Sequence, residues 1–104
     1  MFKVSNNKDI SMIEGDFGEY LTFNITSGKV VAGDILKFII QTETYEIIIN
    51  KVVDVNNDTF SFSLTQNETA KLKEGKYLWG LKHHRNNILL ETLTTNHLFE
   101  VKKG

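Results

Sequence analysis

The segment TFSFSL at residues 59–64 sets Phe60, Phe62 and Leu64 on one parity and Ser61 and Ser63 on the other. Successive side chains of an extended backbone point to opposite faces, so this spacing separates apolar from polar only in a β-strand. The period recurs along the chain. EYLTFNIT puts Leu21, Phe23 and Ile25 against Tyr20, Thr22 and Asn24. DILKFIIQT points Leu36, Phe38 and Ile40 one way, with Ile35, Lys37 and Ile39 opposite. TYEIIINKVVDV sets Tyr45, Ile47 and Ile49 on one side and Ile48 and Val52 on the other. Apolar residues on both faces predict a central strand, or one covered on its outer side. KYLWGLKH aligns Tyr77, Trp79, Leu81 and His83, and HLFEV aligns Phe99 and Val101. Phe23, Phe38, Phe60, Phe62, Leu64, Tyr77, Trp79 and Leu81 are the predicted core.

Between these runs stand turn signals. Gly28 and Gly33 punctuate a loop, and Asn56–Asp58 reads as a turn. Asn86 and Asn87 tolerate the positive φ of a hairpin turn leading into ILLETL. One helical turn is predicted. Thr65 is an N-cap with Glu68 at the capping-box spacing, Ala70 and Leu72 face the core, and Gly75 supplies the C′ residue. About seven short strands and one helical turn in a chain of 104 residues predict a single all-β domain spanning 1–104, an immunoglobulin-like antiparallel sandwich.

Composition excludes several functions. Without cysteine there is no disulfide or thiolate chemistry. A net charge of −1 with Lys and Glu interspersed offers no basic face for nucleic acid. No apolar run reaches the length of a membrane span. The N-terminus lacks the apolar core of a secretion signal, so a cytoplasmic site of synthesis is expected. The Asn-x-Ser/Thr triplets at Asn24, Asn57 and Asn67 are therefore read as chance matches. Proline is absent too, so any unpaired sheet edge must be blunted by charge, by shortness or by a partner.

Few residues suggest chemistry. His83 and His84 are sequence neighbours on a strand and point to opposite faces, so both cannot hold one metal. One of them with His97 and Glu91 would make a zinc set, but the spacing fits no metal motif. We read the three histidines as surface or strand-end residues and expect no bound metal or other cofactor. Ser11, Ser27, Ser61 and Ser63 stand in no Gly-x-Ser-x-Gly elbow, and the carboxylates form no recognisable acid pair. No enzyme is expected. Tyr20 is the best-placed exposed aromatic for stacking a sugar, although one tyrosine makes a poor platform. The outward Ile35, Ile39, Ile48 and Val52 would form an apolar patch if their strands are neighbours, and such patches mark interaction surfaces. They are the candidate interface.

The segments EGDFGEYLTFNI, AGDILKFII, FSFSLTQNETAKLKEGKYLWGLKH and ETLTTNHLFEVKKG together resemble the small immunoglobulin-like domains of phage and prophage tail proteins. They are most similar to N-terminal domains of baseplate upper proteins from phages of low-GC Gram-positive bacteria. The matching features are Gly15 and Asp16, the strand Asp34–Phe38, the segment Thr69–Trp79, and the closing Thr92–Val101. Gly80 stands where such domains often carry an acid, a proline before the Gly-x-Tyr segment is missing, and the loop from His83 to Asn87 follows no family pattern. The resemblance implies a non-enzymatic assembly module in the virion tail. Its implied partners are further copies of itself, as dimer or trimer, or other tail proteins. A module binding cell-surface carbohydrate is the alternative.

Overall fold

The computed structural model describes residues 2–24, 30–55 and 59–104. Ile25, Ser27, Gly28, the turn at Asn56–Asp58 and the triplet at Asn57 lie outside the described residues, as do the side chains of Asn24 and Phe60. The elements are β1 (Lys3–Val4), β2 (Ile10–Ile13), β3 (Tyr20–Asn24), β4 (Ile35–Thr42), β5 (Ile47–Asp54), β6 (Thr59–Ser63), α1 (Gln66–Thr69), β7 (Gly75–Arg85) and β8 (Ile88–Lys102). The fold is all-β, as predicted. A curled, mixed sheet runs β1-β2-β8-β7-β4-β5, and β3 pairs with β6 in a two-stranded ribbon. The pairing of β2 with β8 is parallel.

The alternating residues make the core. Phe23 and Phe62 on the ribbon meet Phe38 of β4, at ring separations of 6.4 and 4.8 Å, and Phe23 lies 5.4 Å from Trp79 of β7. Phe38, Phe62, Leu64, Trp79 and Leu81 are buried, while Phe23 and Tyr77 are half-buried against them. The Trp79 indole N–H donates to the Lys8 carbonyl at 2.9 Å, fastening the β1–β2 connection to the core. Lys8 reaches that position with a φ of 66°.

The helical turn begins as predicted. The Thr65 hydroxyl accepts from the Glu68 N–H, and the Glu68 carboxylate accepts from the Thr65 N–H at 2.8 Å. Burial pushes the Glu68 carboxyl up, but the Thr65 N–H and the Lys51 ammonium at 3.0 Å outweigh it and hold it below its ordinary value. Leu72 enters the core, whereas Ala70, expected there, is exposed. Gly75 is not the C′ residue either. The helix closes at Ala70 in an ordinary helical conformation, and Gly75, at φ 151°, starts β7. A helix of one turn ends too early for a residue that distant to cap it.

Register irregularities in two of the pairings reset the strand phases. Between β4 and β5 the register slips at Ile40/Gln41, so Ile49 pairs with Ile40 but Ile47 pairs with Gln41. The extra residue, Ile48, packs against the core. Tyr45 is not in the strand at all; it lies in the turn with φ 68°, its N–H bonded to the Thr42 carbonyl. Nor is β5 central, as its two apolar faces suggested: it is an edge of the six-stranded sheet. The segments ILLETL and HLFEV form one strand, β8, whose shifts against β7 include one between Trp79 and Leu81. Asn96, at φ 60°, sits in that bulge. Asn86 and Asn87, at φ 52° and 64°, make the expected hairpin turn.

The bulge brings β8 down onto Gly80. A Cβ there would stand 2.8 Å from the Thr94 carbonyl oxygen and 3.1 Å from the Thr95 Cα, both backbone atoms. Gly80→Ala is expected to cost about 1–3 kcal/mol by overpacking, measured by urea denaturation. A stability equal to the parent's would mean that the two strands can separate at this point without cost.

Candidate functional site

Two surfaces and one buried cluster stand out. The first surface is the side of β5-β4-β7 that faces away from the ribbon. Cross-strand register sets Lys37 between Val52 and Lys82, and Ile39 between Asn50 and Gly80. Of the four candidate interface residues, Val52 is 53% exposed, Ile35 is half-buried, and Ile39 is 9% exposed and lines a hollow with Ile47, Gly80 and Thr95. Ile48 is turned toward the core by the bulge, and Ile47 takes its place outside, 55% exposed. The predicted patch is therefore rearranged. Val52 and Ile47 supply its apolar surface, with Lys37 and Lys82 directly opposite one another between them and the rest of the sheet. Like charges in that position repel. His84 lies on the same face, and burial, then the charge of Lys37, pushes its imidazole below its ordinary value.

The second surface is the tip of the β7–β8 hairpin. Ile88, Leu89 and Leu90 follow the Asn86–Asn87 turn and are all exposed, Ile88 by 63%. Sequence reasoning missed this tip, although its signal was present. Three consecutive apolar residues on a strand cannot share one face, so at least one must leave the core side.

The cluster lies at the base of that hairpin. β7 places His83 near its hairpin end, as expected, but on the core face, where it is fully buried rather than on the surface. Its Nε2 is 2.7 Å from Asp34 Oδ2 and its Nδ1 is 2.9 Å from Glu91 Oε2. Arg85 donates to Asp34 through Nε at 2.8 Å and Nη2 at 2.9 Å. These Arg85 bonds, helped by His83 and the Val31 N–H, hold the Asp34 carboxyl well below the usual carboxylate range against the opposing effect of burial. An ionised Asp34 only accepts, so Nε2 of His83 donates to it. The Nδ1–Glu91 contact then needs one proton, carried by the ring or by the carboxyl. Either placement leaves the four side chains with no net charge.

Within this arrangement His83 is sealed from solvent, while the Arg85 and Glu91 side chains remain 40% and 18% exposed. A general base must reach the proton it removes, and His83 has no exposed surface. His84 points to the opposite face, as predicted, and its Nδ1 is buried with no hydrogen-bond partner. His97 is half-buried, stacked on Trp79 at 5.2 Å and bonded to the Thr94 hydroxyl. Of the suggested set, His83 and Glu91 meet and His97 packs elsewhere, and among the described residues no group of three His, Cys, Asp or Glu side chains is placed to hold a metal ion. Ser61 pairs its hydroxyl with Thr22 across the ribbon at 2.8 Å. No helix among the described residues is long and apolar enough to cross a membrane. No protein-family model matches the chain, and no curated protein matches it.

Proposed function

We propose that this chain is a non-enzymatic assembly module of a phage or prophage tail, in the baseplate, folded as an immunoglobulin-like sandwich. Support for the sandwich is the strand order. β8-β7-β4-β5 follows the G-F-C-C′ sequence of an immunoglobulin domain, and β3 beside β6 corresponds to its B and E strands on the other layer. The buried tryptophan stands on the F-like strand rather than on C, and no cysteine is present to bridge the layers. The tail assignment is supported by the resemblance of Thr69–Trp79 and the flanking segments to tail domains.

The observation that carries an assembly role is the hairpin tip. Ile88, Leu89 and Leu90 expose apolar side chains on both faces at the end of a long hairpin tied at its base by the Asp34–His83–Arg85 bonds. Burying that surface against another tail protein or a further copy is its simplest use. The test is light scattering after size exclusion, with mass-spectrometric identification of proteins that accompany the native chain. Self-association or a tail partner is expected, reduced in Leu89→Lys. A monomer that accompanies no tail component, unchanged by Leu89→Lys, would overturn the proposal. Exposure of Tyr20 and Tyr45 supports carbohydrate binding as the second reading, which a glycan screen tests.

A further inference from the structure

We propose that two copies of this chain pair along β5, antiparallel and about a two-fold axis at Val52, joining their six-stranded sheets edge to edge. The proposal rests on the assembly reading above and names one partner, a second copy, and its register.

Backbone geometry selects the register. β5 has eight residues and no proline, and among the described residues no strand lies along its outer side. The Val55 N–H bonds the Asp34 carbonyl at 3.2 Å, one step beyond the Ile35–Asp54 pair. Hydrogen-bonded and non-hydrogen-bonded pairs alternate in an antiparallel ladder. The pairs Ile35–Asp54, Lys37–Val52 and Ile39–Asn50 are therefore the non-hydrogen-bonded ones. It follows that Asn50, Val52 and Asp54 direct their N–H and C=O groups away from β4, toward the open edge. Unpaired groups in such a row are a template for another strand.

A symmetric partner must match these three residues with themselves. Centring the axis on Val52 pairs Val52 with Val52 and Asn50 with Asp54, so every outward group gains a partner. On the outer face the half-exposed valines then meet each other, and an amide faces a carboxylate. On the core face Lys51 stands opposite Val53. Moving the axis to Lys51 would set two lysines opposite each other, which is destabilising. Moving it to Asn50 would pair Val52 with Ile48, the bulged residue. Moving it to Val53 would carry Asn50 past the end of the described strand. A closed two-fold pairing also removes the edge that an open array would leave.

The same geometry supplies the test. The Val52 N–H makes no bond to β4, so Val52→Pro leaves the protomer's own ladder intact, as proline is tolerated on an edge strand with its nitrogen outward. The chain has no cysteine, so Val52→Cys introduces a single thiol. Across the axis the two Cα atoms would be about 5.5 Å apart, within disulfide reach. Sedimentation equilibrium at micromolar concentration should give twice the 11.9 kDa chain mass for the parent and a single chain for Val52→Pro, with unchanged circular dichroism. Mild oxidation should convert Val52→Cys, but not the control Tyr20→Cys, to a covalent dimer. If Val52→Pro fails to fold, the crosslink decides. A self-associated protein indifferent to Val52→Pro and uncrosslinked through Cys at 52 would overturn this interface while leaving the assembly reading standing. A monomeric parent that still binds a tail protein would do the same. A monomeric parent with no partner at all would overturn both.

Discussion

Trp79→Ala is expected to lower unfolding free energy by about 3–5 kcal/mol, the largest effect of any single core truncation in this chain. Trp79 is 1% exposed and lies where the two layers meet. Its ring contacts Phe23, Phe38 and His97 at 5.4, 5.5 and 5.2 Å. Those neighbours belong to three different strands, so the cavity cannot close by movement of one of them. The change also removes the donor from the Lys8 carbonyl, loosening the N-terminal connection from the sheet. Trp79→Phe separates the two effects. It keeps most of the packing and loses only the hydrogen bond, for about 0.5–1.5 kcal/mol, plus a small mismatch. Because Trp79 is the only tryptophan, urea unfolding must be followed by circular dichroism rather than indole fluorescence. A Trp79→Ala loss below about 1 kcal/mol would show that the layers do not depend on this side chain for their contact.

Much of this packing was legible in the sequence because alternation is a local property. Phe38, Phe62, Leu64, Trp79 and Leu81 needed only their parity to be placed inside. The Thr65–Glu68 box and the Asn86–Asn87 turn needed only three or four residues of chemistry. What sequence parity could not foresee were the bulges. One extra residue between Ile47 and Ile49 exchanged the roles of Ile47 and Ile48, and with them the make-up of the outer apolar patch. The place of β5 in the sheet was equally hidden. Apolar side chains on both faces describe what a strand could bury, while its neighbours are settled by the path of the whole chain. Gly80, which appeared as a departure from a pattern, is explained by the Thr94 and Thr95 backbone passing over it. The polar cluster was invisible for the same reason. His83 and Asp34 are 49 residues apart, and only the pairing of β4 with β7 brings them together.

His83→Leu is expected to cost about 3–5 kcal/mol near neutral pH, since it removes one partner from a buried charged set and leaves carboxylates facing a side chain that cannot donate. Volume is roughly kept, so the loss reports hydrogen bonding more than cavity formation. The pH dependence comes from Asp34. Asp34 is held down by Arg85, so its share of stability is complete above the ordinary Asp value of about 3.9 and is lost as pH falls below it. His83 is one of the groups that hold Asp34 down, so the parent has more of this contribution to lose than the variant, and the two stabilities should converge as pH falls below that value. Urea unfolding of both proteins across this range measures the gap directly. A gap that stays constant with pH would mean that the cost of His83→Leu is steric, and that the ring's hydrogen bond to Asp34 adds nothing to it.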